Sequence, residues 1–292
     1  MADVPTLEML TSNWELFREP VLVAGAAGAV LGYMGIYIVI RRMVFFAAAL
    51  SQAAGCGVAL AFFAQINLGL TGFLGSPRLW AVGTTALAAW ILTVVKENRI
   101  SREGFLALAY LLGGAGAMLL GTRISQEAHD IQAILFGTAV LVSAEDVHWV
   151  LGVGAVVMIW QLWWRRGLLF ASLDVEGARI RGLPVQVLDA GLMLMLAVFV
   201  SVTTHALGAL PVFAFSVLPA LAAVTLCKNP TFAFVVATIV GILAGVGGYM
   251  LAFFGQFPVG ASQATVAAAA VVAALLLRGT LATIARILPS VT

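Results

Sequence analysis

The stretch TFAFVVATIVGILAGVGGYMLAFF, from Thr231 to Phe254, decides the fold, because it holds neither a charged residue nor a proline. A helix rises 1.5 Å per residue, so about 20 consecutive apolar residues cross the hydrocarbon core of a bilayer. Working outward, comparable runs lie at 20–40, 44–66, 79–96, 104–121, 145–164, 187–205, 209–227 and 262–279. The run 130–142 is too short to span alone and reads as a re-entrant piece or as the first part of the fifth span. Composition agrees. Hydrophobic residues make up 62% of the 292 residues and charged residues 10%, with mean hydropathy +1.08. A soluble domain carries about 25% charged residues. In hydrocarbon the shortage is expected, since a charge at the centre of a span costs about 2.5–3.5 kcal/mol. The fold class is all-α, a polytopic membrane helix bundle of eight to nine transmembrane helices.

The charge pattern orients the bundle. With the N-terminus outside, Arg41, Arg42, Lys96, Arg99, Arg102, Arg165, Arg166, Arg179, Arg181, Lys228, Arg278 and Arg286 fall on the inner side. Only Arg18, Arg78 and Arg123 fall outside, and cytoplasmic loops are the ones enriched in Lys and Arg. The outer side collects Asp3, Glu8, Glu15, Glu19, Glu127, Asp130, Glu145 and Asp146, a rim that favours cations or is simply solvated. On this reading residues 1–18 are an extracytoplasmic lead-in, 19–285 the transmembrane domain and 286–292 a cytoplasmic tail. The acidic lead-in lacks a basic n-region, so no cleavable signal is expected. The net charge of +2, with no basic tract, excludes nucleic acid as a partner. Cys56 and Cys227 lie in apolar runs and read as buried thiols.

Small residues recur at three- and four-residue spacing at Gly25, Gly28, Gly32 and Gly35, with others at Gly113, Gly116 and Gly247–Gly248. In lipid, helices associate by close packing, so these predict tight crossings.

The polar stretch 165–184 is the longest between spans on the inner side. Asp174 and Glu176 come early, Arg179 and Arg181 late, Gly182 stands where a helix C′ residue belongs, and Pro184 forbids continuation. The pattern predicts a short helix of about two turns at the membrane surface, a rigid knob for a cytoplasmic partner to grip.

All three histidines fall near the outer mouth. His129 adjoins Asp130, His148 follows Glu145 and Asp146, and His205 ends the sixth span. Imidazole with carboxylate is a usual zinc or manganese ligand mix. His129 and Asp130, with His205, are the candidate metal contacts; singly, each histidine also fits an interfacial or hydrogen-bonded role.

Five stretches together carry a resemblance. They are LGYMGIYIVIRRMVFFAAALSQAAGCGVAL (Leu31–Leu60), LFGTAVLVSAEDV (Leu135–Val147), LDVEGARIRGLP (Leu173–Pro184), GALPVFAFSVLPALAA (Gly208–Ala223) and FGQFPVGASQATV (Phe254–Val266). In this order, over residues 20–280, the chain resembles the permease subunit of bacterial ABC importers for zinc, manganese and iron, the ABC-3 family. The resemblance implies two permease copies in the bacterial cytoplasmic (inner) membrane. It also implies a separate cytoplasmic ATP-binding subunit and an extracytoplasmic substrate-binding protein. ATP would be hydrolysed on the partner, since the chain has no G-x-x-x-x-G-K-[ST] loop. No cofactor is held permanently; the divalent metal is cargo, with zinc first and manganese or iron next. The segment 168–184 would couple to the ATPase through Asp174, Glu176, Ala178, Arg179 and Gly182.

One departure stands out. Family members that carry metal have an Asp and a His in the second-span motif, and the matching positions are Ala48 and Gln52, beside a retained Ser51. An amide is a poor zinc ligand. Ser51 and Gln52 either line the path with weak oxygen donors or serve helix packing, and the cargo is either a metal taking another route or something else. A secondary transporter would show matching halves and a charge to couple a proton, for which Asp189 near a span end is the candidate. An intramembrane enzyme lacks an H-E-x-x-H or G-x-S-x-G motif, and nothing resembles a channel filter.

Overall fold

All nine apolar runs are helical in the computed structural model, which describes residue 12 and residues 14–94, 101–124 and 142–287. In chain order the described helices are α1 (Trp14–Ile40), α2 (Val44–Leu68), α3 (Pro77–Val94), α4 (Arg102–Ile124) and α5 (Ala144–Leu173). The short α6 (Val175–Ile180) follows, then α7 (Val185–Leu207), α8 (Ala209–Leu226), α9 (Pro230–Gly255) and α10 (Val259–Ile287). A 3₁₀ turn, Gly72–Gly75, precedes α3, and no strand occurs among the described residues. Eight of these helices are long and apolar enough to cross a membrane. The ninth long one, α3, has 18 residues and carries Arg78 in its first turn. The run 130–142 lies outside the described residues but for Val142, as do His129, Asp130 and Glu127.

Helix lengths exceed the apolar runs. Helix α5 has 30 residues, about 45 Å at 1.5 Å each, against a hydrocarbon core of about 30 Å. The helix therefore continues through Arg165 and Arg166 beyond the bilayer to Leu173, taking up the first half of segment 168–184. Helix α1 likewise begins at Trp14, so the last residues of the lead-in, 14–18, run on into the first span as one helix. Local signals set the ends. Ser143 caps α5, accepting from the Asp146 N–H while the Asp146 carboxylate accepts from the Ser143 N–H at 3.1 Å. Asn229 caps α9, with Pro230 in the first helical position.

The centre of the bundle is α1, 78% buried over its spanning window, with α2 at 67%; α4 and α10, at 17% each, are peripheral. Helix α1 crosses α9 antiparallel at Gly28 and Gly241, where an added Cβ on either glycine would enter the other's carbonyl. Gly32 meets the Ala237 carbonyl and Gly35 the Ser216 carbonyl of α8 in the same way. Helix α2 runs parallel to α4, as Gly113 and Gly116 meet Gln52 and Cys56, and antiparallel to α3, where Thr84 Oγ1 donates to the Ala53 carbonyl at 2.9 Å. Helix α10 closes the far side against α8 and α9, with Gly248 on Gln263. The glycine stripes are thus the crossings their spacing predicts.

Side-chain contacts sort the helix ends into two groups. One end holds Arg41, Ser172, Asp189 and the Arg165–Thr231 hydrogen bond; the other holds Arg78, Glu145, Asp146 and His205. This is the partition that alternation of nine spans requires.

Candidate functional site

The Arg41 end presents the knob. Asp174 adopts an extended backbone, and its carboxylate accepts the Gly177 N–H at 2.9 Å, capping α6. An added Cβ at Gly177 would strike that carboxylate, so the cap demands glycine there. Gly182, at φ +76°, closes the helix: its N–H reaches the Arg179 carbonyl at 2.9 Å, and the Leu183 N–H reaches Ala178 at 3.0 Å. This 6→1 and 5→2 pairing is the Schellman close, and it needs a left-handed residue at C′. Ala178 is fully buried and seats the turn, while Glu176 and Arg179 are exposed and Ile180 is 86% exposed. The Arg181 guanidinium lies 4.8 Å over the Phe170 ring, holding the knob against α5. The capped turn thus carries an exposed isoleucine at its tip.

At mid-membrane, Ser51 is buried and its Oγ donates to the Ala47 carbonyl of its own helix at 3.0 Å. Gln52 is half-buried at the α2–α4 crossing, where a Cβ on Gly113 would come within 2.9 Å of its carbonyl carbon. Ala48 is buried.

At the other end, Arg78 of α3 forms a fork with two carboxylates of α5. One nitrogen bonds Glu145, and the other bonds Asp146 at 2.9 Å. Asp146 is 7% exposed; it also takes His205 Nδ1 of α7 at 3.1 Å and caps its own helix through Ser143. Trp149 flanks the cluster, 5.9 Å from the guanidinium. His148 Nδ1 pairs instead with the Ala144 carbonyl at 2.6 Å. Among the described residues no group of three or more His, Cys, Asp or Glu converges to hold a metal ion. The structure therefore joins His205 to Asp146 and Arg78, and a guanidinium in the cluster opposes a second cation. His129 and Asp130 lie outside the described residues.

The sequence reading passed over Arg41 and Arg78 as site residues and weighed Asp189 only as a proton-coupling charge. The side chain of Arg41 donates from Nε to Ser172 Oγ at 2.7 Å and from Nη1 to Asp189 Oδ1 at 2.5 Å. The available signal was the rule that a charge inside a span names a partner at its own depth. Asp189 sits five residues into α7, on the side that holds the arginines ending α1.

Known proteins are similar to this chain over most of its length. The manganese transport system membrane protein MntC of Halalkalibacterium halodurans is 25% identical over 256 residues, 87% of this chain and 85% of its own. The chelated iron transport system membrane protein YfeD of Yersinia pestis is 27% identical over 241 residues, 82% and 78% of the two chains. Among solved structures, PsaBC from Streptococcus pneumoniae in complex with Fab superposes with a TM-score of 0.78 and 25% identity, covering 91% of this chain and 92% of that one. Residues 13–278 match the ABC 3 transport family, and with that span covered and the bundle shared the chain belongs to this family.

Proposed function

We propose that the chain is the membrane permease of an ATP-driven importer of a divalent transition metal, working by alternating access in the bacterial inner membrane. The carrying observation is the exposed knob Asp174–Gly182, capped at both ends and set between two long spans in a chain of this family. A separate ATP-binding subunit grips the knob, with Ile180 and Glu176 as its contacts and Ala178 as its seat. A second copy of the permease completes the path, and an extracytoplasmic binding protein delivers the cargo. The N-terminus lies outside, as the arginine bias favours, which puts the Arg41 end in the cytoplasm.

The cargo reading rests on donors. With Ala48 and Gln52 at the motif positions, the side-chain donors there, Ser51 and Gln52, are oxygens, which suit manganese and iron(II) better than zinc. The relatives' names print manganese, iron and zinc, and on this ground we put manganese and iron(II) ahead of zinc as the cargo. Arg78 opposes a metal at His205, so His129 and Asp130 remain the entrance ligands we propose. A second reading, a non-metal cargo, is favoured by the loss of both the Asp and the His.

Liposomes carrying the permease with its ATPase and binding protein test this. Saturable, ATP-dependent uptake of manganese or iron(II) is expected, reduced by His129→Ala with Asp130→Ala. ATP hydrolysis without uptake of any metal would establish the second reading.

A further inference from the structure

The guanidinium of Arg41 touches the chain on both sides of the knob. Ser172 lies two residues before the Asp174 cap, and Asp189 lies in the first turns of α7, just past Pro184. The Arg41 side chain is 11% exposed and that of Asp189 36%, so the pair is partly shielded from water and the attraction is stronger than between fully solvated charges. Ser172 is itself anchored, its Oγ donating to the Leu168 carbonyl at 2.6 Å. Both feet of α6 are thus fastened to one side chain.

That side chain stands on a stiff elbow. Only Arg41, Arg42 and Met43 separate α1 from α2. The elbow closes with the same bonds that end α6: Met43 N–H to the Ile38 carbonyl at 2.8 Å and Arg42 N–H to Val39 at 3.1 Å. Arg42 occupies the left-handed position with φ +57°, without the freedom of glycine. Beyond the elbow, α2 carries Ala48, Ser51 and Gln52 five, eight and nine residues after Met43.

From this geometry we infer that Arg41 is a positioning residue that makes the knob and the α1–α2 elbow one rigid body. A force applied at Ile180 then moves the cytoplasmic end of α2 directly, through three side chains, and need not travel along α5 or α7. Asp189 is on this account the anchor of the linkage, held in an ion pair with Arg41. The inference deepens the permease reading and rests on it for the meaning of the force, while the linkage itself is a property of this chain alone.

Two arms test it. Spin labels at Phe45→Cys and Ile180→Cys, both exposed, in full-length protein with Cys56→Ala and Cys227→Ala, report the distance between elbow and knob in nanodiscs. A single narrow distribution is expected in the parent and a broadened one in Arg41→Ala and Asp189→Ala. The Arg41→Asp, Asp189→Arg double swap should restore the narrow form. In the reconstituted importer, metal moved per ATP hydrolysed should fall about tenfold in the single variants and recover in the swap, with the unfolding midpoint of the swap matching the parent. An unchanged distribution in both single variants overturns the rigid linkage. A broadened distribution with an unchanged transport-to-hydrolysis ratio overturns its role in transmission. Failure of the parent complex to move metal would count against the permease reading, and the label distances would still decide the linkage.

Discussion

Each end of the bundle is organised by one arginine, and the two do opposite work. At the His205 end, Arg78 and Asp146 draw together the termini of α3, α5 and α7 with a neighbouring tryptophan, and Arg78, Asp146 and His205 are turned inward on one another. At the Arg41 end, the arginine fastens two stretches of chain that flank an exposed helix, and the helix projects an isoleucine into solvent. The first arrangement closes a surface and the second presents one. The lesson is that an ion pair marks function by what it holds in place: Asp146 is spent on three residues of its own cluster, while Asp189 fastens the chain beside an exposed helix.

The comparison breaks most easily at Asp146. Asp146→Ala removes the partners of Arg78 and His205 and the cap of α5 together. Uncovering a shielded charge costs about 3–5 kcal/mol, so a large drop in the thermal unfolding midpoint of the detergent-solubilised protein is expected. Asp146→Asn, which keeps the capping acceptor, should lose less, and an equal loss would show that the cap contributes little. Next comes the knob. Glu176→Lys or Ile180→Asp should leave that midpoint unchanged yet cut metal moved per ATP about tenfold, a coupling change of 1–3 kcal/mol. Normal transport by an assembled complex would remove the docking assignment. A smaller effect of opposite sign is expected at the elbow. Arg42→Gly relieves a left-handed side-chain penalty of about 1–2 kcal/mol and should raise the midpoint, offset in part by the freer unfolded chain. The least effect belongs to Glu145, whose side chain is 69% exposed; Glu145→Gln should not move the midpoint measurably, and a clear drop would mean the fork with Arg78 acts as one unit.

Much of this was legible in the chain because the signals are local. Apolar run lengths located every long helix, and Asp174, Gly182 and Pro184 signalled the short helix within 168–184, since its ends are decided within a few positions. Helix ends were less legible. Nothing in the backbone stops α5 at Arg165 and Arg166, because a helix leaving the membrane has water to solvate those charges and goes on to Leu173. The linkages were not legible at all. Arg41 and Asp189 are 148 residues apart in sequence, so Asp189 alone resembled a candidate for proton coupling. His205 read as a metal contact for the same reason: its bond to Asp146 spans 59 residues. For the second-span motif, Ser51 and Gln52 are placed by packing with α4 and by a bond within their own helix, which no periodicity announces.

The bare crossing of Gly28 with Gly241 also bears on how the protein is made. The first helix leaves the ribosome roughly 200 residues before its partner, and at 5–20 residues per second that is a wait of about 10–40 s. During this interval the glycine face of α1 has no backbone to lie against. The nascent chain therefore needs lipid tails or the insertion machinery to occupy that notch, and the last act of assembly is their eviction by α9.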